Sequence, residues 1–144
     1  MQVVQATRPQ IIAGNYHYRR PDFSYITDAD FDKAKVDCFS VLTDRAKKRL
    51  SPIPYKALAN SITSIAYPFD DDPLMHALAC IIGEISLEEF NAGRALLSAL
   101  VVIREEGAPG SGFFDLAKGV GRAFDDETTY WAEEIRRIYS QKYI

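Results

Sequence analysis

The chain has 144 residues, 47% of them hydrophobic and 26% charged. That length suits one domain, and the composition excludes disorder, a collagen-like fibre and a disulfide scaffold. Its 17 basic and 20 acidic side chains leave a net charge of −3, so there is no global basic field to capture nucleic acid.

The stretch from Met1 to Pro9 lacks the apolar segment of a secretory signal. No apolar run approaches the ~18 residues that a membrane span needs; without a secretory signal, and with its two cysteines read as free thiols, a reducing cytoplasm is expected. Residues 1–26 are rich in aromatics and mixed in pattern. Gln10 to Tyr18 reads either as a hairpin around Gly14-Asn15 or as an arm across a single domain spanning 1–144.

Thr27, with Asp30 three residues on, is an N-cap signal. Behind it Phe31, Ala34, Cys38, Leu42, Ala46 and Leu50 recur at helical spacing and predict a helix over 28–50. Ser51-Pro52-Ile53-Pro54 breaks it, since proline donates no backbone hydrogen bond. A short helix is expected at 55–62, then a loop around Tyr67-Pro68-Phe69. Asp71 or Asp72 ahead of Pro73 marks the next helix start. Leu74, Leu78, Ile81, Ile82 and Ile85 form the buried face of that helix, over 73–85. Ser86 and Glu89 form a capping-box pair that predicts a restart or bend before Gly93. The apolar run 95–103, β-branched at its end and bounded by glycines, predicts a buried strand. Phe113 opens a short helix ending near Gly119 or Gly121. Asp125-Asp126-Glu127 then leads a helix with Trp131, Ile135, Ile138 and Tyr139 on one stripe and Glu133, Arg136 and Arg137 off it. The expected class is α+β and mostly helical: a winged-helix-like three-helix core, a short buried strand or hairpin, and a C-terminal amphipathic helix.

Cys38 and Cys80, the only cysteines, sit in helical stretches near apolar faces and read as buried free thiols. His17 and His76 have no Cys or His at ligand spacing. Asp70-Asp71-Asp72 and Asp125-Asp126-Glu127 could hold a hard cation, but each precedes a predicted helix, where capping is the favoured role. No metal or cofactor is expected. His76 lies one turn before Cys80, an arrangement available to a Cys–His pair, yet no third orienting group can be named. Ser98 lies in mid-strand and Ser111 between two glycines, without a Gly-x-Ser-x-Gly elbow. Catalysis is therefore not favoured.

Gly107, Gly110 and Gly112 lead into a helix start whose unpaired amides suit an anion. This nominates Arg94, Ser98, Gly110, Ser111, Gly112 and Lys118 as a ligand- or partner-binding set, against a rigid turn that tucks Phe113 and Phe114 into the core. A second set, Arg45, Lys47, Lys48, Arg49, Tyr55 and Lys56, is a basic cluster that could touch nucleic acid. In a winged helix the third helix enters the major groove. Residues 70–92 carry Asp70, Asp71, Asp72, Glu84, Glu88 and Glu89 and no Lys or Arg, so phosphate should repel that helix. Residues 1–69 carry 10 basic and 6 acidic side chains, and residues 70–144 carry 7 and 14.

The stretch Gly93-Arg94-Ala95-Leu96-Leu97-Ser98-Ala99-Leu100-Val101-Val102, followed by Pro109-Gly110-Ser111-Gly112-Phe113-Phe114-Asp115-Leu116-Ala117, resembles a group of small bacterial and phage-encoded proteins. That resemblance implies a mobile-element setting and no particular activity. Pro54-Tyr55-Lys56-Ala57-Leu58-Ala59 is similar to the start of the helix-turn-helix unit in alkyltransferase-like DNA repair domains. The Pro-Cys-His-Arg nucleophile motif of that family is absent, so alkyl transfer is not implied.

Together these features favour a non-catalytic binding or regulatory module acting through a protein partner or a small anionic ligand. A homodimer would bring basic and acidic halves together. The alternatives are a nucleic-acid-binding protein using the 45–56 cluster, and a small nucleotide-acting enzyme with Asp70–Asp72 or His76 in its site.

Overall fold

The structure, a computed structural model, describes residues 10–12, 15–17, 20, 26–64 and 74–143. Strands β1 (Gln10–Ile12) and β2 (Asn15–His17) pair antiparallel, with Ile11 opposite Tyr16. The amide of Tyr16 donates to Asn91 Oδ1 at 2.8 Å, and Asn91 Nδ2 donates to the Tyr16 carbonyl at 2.9 Å. A carboxamide offers one acceptor and a donor, so Asn91 serves β2 as a further peptide group would.

Helix α1 (Asp28–Lys48) begins where the Thr27 hydroxyl accepts from the Asp30 amide at 3.1 Å. Its buried face is Phe31, Ala34, Cys38, Leu42 and Ala46. It ends before Leu50, which is 40% exposed instead of joining the core. Arg49 turns left-handed at φ 52°, and the Leu50 amide folds back onto the Arg45 carbonyl at 3.0 Å, which throws Leu50 off the apolar stripe.

Strand β3 (Ile53–Pro54) runs directly into short helix α2 (Tyr55–Asn60). Helix α3 (Leu74–Asn91) continues unbroken through Ser86, contrary to the restart expected there. Ser86 is fully buried, and its hydroxyl is engaged with Ser98 instead of capping the Glu89 amide. Gly93, at φ 79°, closes α3 as the sequence indicates.

The run 95–103 corrects the sequence reading most clearly. It is buried, but Leu97–Leu100 form a 3₁₀ turn and only Val101–Val102 (β4) are strand. The Ser98 amide is given to the Ser86 hydroxyl at 2.8 Å, so it is not available to a ladder. Strand β4 pairs parallel with β3, Ile53 opposite Val101, and a bridge between Ile103 and Ala108 closes the following turn.

Helix α4 (Ser111–Gly119) starts two residues ahead of Phe113, with Gly110 as its N-cap. Helix α5 (Glu127–Ser140) is capped by Asp126, whose carboxylate accepts from the Thr129 amide at 3.0 Å. The chain is thus α+β and mostly helical. Helices α1 and α3 pack together, and the 3₁₀ turn fits between α3 and α5. Phe113 and Phe114 are buried, and Cys38 and Cys80 are buried free thiols. The loop expected at Tyr67–Phe69 and the acidic cap at Asp70–Asp72 lie outside the described residues.

Candidate functional site

A cleft of about 930 Å³ opens between α2, the first half of α3, the turn at 103–108 and the N-terminus of α4. Pockets for small molecules commonly measure ~300–1,000 Å³. Helix α3 contributes His76, Ala79, Cys80, Ile82 and Gly83; His76, Ala79, Cys80 and Gly83 recur at helical spacing and so form one wall, with small side chains beyond His76. Across from it stand Tyr55 and Lys56 on α2, Ile103 and Arg104 on the turn, and Gly110, Ser111, Gly112 and Phe113 on α4. The turn and α4 approach closely: a Cβ at Gly110 would lie 3.3 Å from Ile103 Cδ1, so that side chain would have to give way by a few tenths of an ångström.

At the mouth the exposed cations Lys56 and Arg104 have no ion-pair partner among the described residues, and Glu105 is the one lining carboxylate. Gly110 provides no side-chain cap, and the first turn of α4 carries no acidic residue. The Phe113 amide folds back to the Gly110 carbonyl at 3.1 Å, while the amides of Ser111 and Gly112 have no acceptor among the described residues. A helix N-terminus left in this state carries partial positive charge.

The carboxylates of α3 point elsewhere. Glu84 accepts from Arg20 Nη2 at 2.8 Å and from Lys35 at 3.1 Å, Glu88 pairs with Lys35, and Glu89 accepts from Arg94 at 3.0 Å. None of the three lines the cleft. The expected repulsion of phosphate by this helix rested on a sum over residues 70–92. At Glu84, Glu88 and Glu89 that charge is paired and on another face, while Asp70–Asp72 lie outside the described residues.

The sequence-derived sets are redistributed. Ser98, Gly110, Ser111 and Gly112 meet at the cleft, as do Tyr55 and Lys56 from the basic cluster. Arg94 does not join them: its Nη2 donates to the Lys142 carbonyl at 3.0 Å and its guanidinium stacks 4.4 Å from the Tyr143 ring centroid. Lys118 lies at the far end of α4, 5.3 Å from the Phe124 ring centroid. Arg45 donates to the Ser51 carbonyl, Arg49 to the Tyr139 carbonyl at 3.3 Å, and Lys48 pairs with Asp44 at 3.2 Å. Lys47 is exposed. The cluster therefore does not act as one surface: two of its arginines tie down backbone carbonyls.

Burial, with a smaller contribution from the Glu84 charge, pushes the Cys80 thiol up to about 12. A thiol held protonated at neutral pH is a poor nucleophile, so the His76–Cys80 pair lacks the activation a dyad needs. Asp126 serves as a cap to α5, as carboxylates before helices commonly do. No group of three metal-ligating side chains occurs among the described residues.

Sequence reasoning missed Arg104, Ala79 and Gly83. Arg104 begins an Arg-Glu-Glu-Gly run one residue after β4, a turn signal hidden by extending the strand to 103. Gly83 interrupts a strongly apolar helix at a cost of about 1 kcal/mol relative to alanine, and it lies on the cleft wall. Comparison with known families, curated proteins and solved structures returns no match.

Proposed function

We propose that the protein is a non-catalytic binding module whose cleft takes a small anionic ligand. The observation that carries this reading is the charge arrangement at one opening: Lys56 and Arg104 without an ion-pair partner among the described residues, the start of α4 without a side-chain cap, and an α3 wall without a carboxylate. Amides at a helix start bind anions through direct hydrogen bonds and the helix dipole together. A nucleophile activated by an adjacent base is not assembled there, which favours binding over chemistry.

Element order supports a winged-helix relationship, with α1, α2 and α3 followed by β4 and the turn closed between Ile103 and Ala108. In that reading a phosphodiester competes for the same cations. The acid-free wall of α3 and the exposed Lys56 and Arg104 are the features that favour it.

Thermal-shift titration of the full chain with phenyl phosphate, inorganic phosphate and a short oligonucleotide at low ionic strength tests both. Stabilisation that grows with phenyl phosphate concentration is expected, weakened in Lys56→Ala and Arg104→Ala. Absence of stabilisation by every anion would contradict the binding module. Saturable stabilisation by the oligonucleotide alone, lost steeply with salt, would favour the phosphodiester instead.

A further inference from the structure

Ser86 and Ser98 are both buried and share a hydrogen-bonding geometry with one proton too many. The Ser86 hydroxyl donates to Ser98 Oγ at 2.7 Å and accepts the Ser98 amide at 2.8 Å. Two hydroxyls carry two protons, and one contact between them uses only one. Because Ser86 Oγ already accepts the Ser98 amide and does not line the cleft, the remaining O–H is assigned to Ser98, which has no second acceptor among the described residues and lines the cleft with a side chain only 4% exposed. A hydroxyl that accepts one hydrogen bond becomes a stronger donor. A ligand acceptor that reaches this O–H gains a hydrogen bond in a partly desolvated place.

The polar groups of the cleft are thus separated by depth. Lys56, Arg104 and Ser111 are exposed at the mouth, Ser98 is buried, and the small or apolar side chains Ala79, Cys80, Ile82 and Phe113 line the space with them. We infer that the ligand is an amphipathic anion whose apolar body bears a hydrogen-bond acceptor, with the anionic head at the start of α4 and the acceptor taking the Ser98 hydroxyl proton. This rests on the anion-binding reading above and narrows it from any small anion to one class.

Three probes separate the two ideas: inorganic phosphate, 4-isopropylphenyl phosphate and 4-acetylphenyl phosphate. The last two have nearly the same shape and differ in the carbonyl acceptor. Calorimetric titration of the full-length chain should show isopropylphenyl phosphate binding more tightly than inorganic phosphate. The acetyl compound should bind about tenfold more tightly again, the scale of one buried hydrogen bond. In Ser98→Ala that tenfold preference should vanish while isopropylphenyl phosphate binding is retained. Ala79→Leu, which projects bulk from an exposed position on the α3 wall, should weaken both aryl phosphates. Equal binding of the acetyl and isopropyl compounds to the wild-type chain would overturn the role of Ser98 and leave anion binding standing, whether or not Ser98→Ala folds. Failure of all three probes to bind would overturn the anion reading, and this inference with it.

Discussion

Glu134 is a carboxylate with no solvent exposure, and every partner it has is a donor. It accepts from the Leu96 amide at 2.8 Å, the Tyr130 hydroxyl at 3.1 Å, Arg137 at 2.6 Å and Arg122 at 3.3 Å. These contacts hold α5 against the backbone that enters the 3₁₀ turn, and hence hold the floor of the cleft. Glu134→Ala should destabilise the fold by about 2–3 kcal/mol, because the Leu96 amide and Tyr130 are left without an acceptor in the interior. The arginines soften the loss, since their side chains are 26% and 44% exposed and can rehydrate. Urea unfolding of the two chains measures the difference, and a loss below about 0.5 kcal/mol would contradict this role. The sequence pattern of α5 does not single out Glu134. Tyr130 and Arg137 are its neighbours on α5 itself, but the Leu96 amide and Arg122 come from before the 3₁₀ turn and after α4, and no local spacing reveals those two.

At the scale of elements, α1 is tied to the chain after α2 through Asp37, whose Oδ2 accepts from the amides of Thr63 at 3.0 Å and Ser64 at 2.9 Å. Burial alone would raise this carboxyl, but the Ser64 and Thr63 hydrogen bonds outweigh it and hold it below its ordinary 3.8. A carboxyl lowered on folding contributes stability above its unfolded value and loses it as pH falls through the folded one. Denaturant melts across pH 2–6 should therefore show wild-type stability over Asp37→Asn above about pH 4, with the two converging in stronger acid. A difference that stays constant with pH would contradict this link. The helices themselves were readable from their apolar period, and their ends from Thr27, Asp126 and Gly93. The 3₁₀ turn was not, because the group that takes its amide is Ser86, on a different element. Similarly, Gly110–Gly112 announced one rim of the cleft, whereas the opposite wall depends on how α3 is rotated against α1.

Over the whole molecule, the uneven charge has a largely internal resolution. Basic residues of the first half meet acidic residues of the second within one chain, Arg20 and Lys35 on Glu84 and Lys35 on Glu88. The charge argument for pairing two copies of the chain thus has an intramolecular answer at these residues. At the cleft mouth, beside the open start of α4, Lys56 and Arg104 have no ion-pair partner among the described residues. No described helix is long and apolar enough to cross a membrane. The most direct measurement is an amide ¹H–¹⁵N correlation spectrum of the full chain titrated with phenyl phosphate. The cleft predicts saturable shifts centred on the amides of Ser111 and Gly112, with smaller ones at Lys56, Ala79 and Arg104. Shifts centred on Arg94 and Lys118, or on Lys47 and Lys48, or none anywhere at saturating probe, would contradict it.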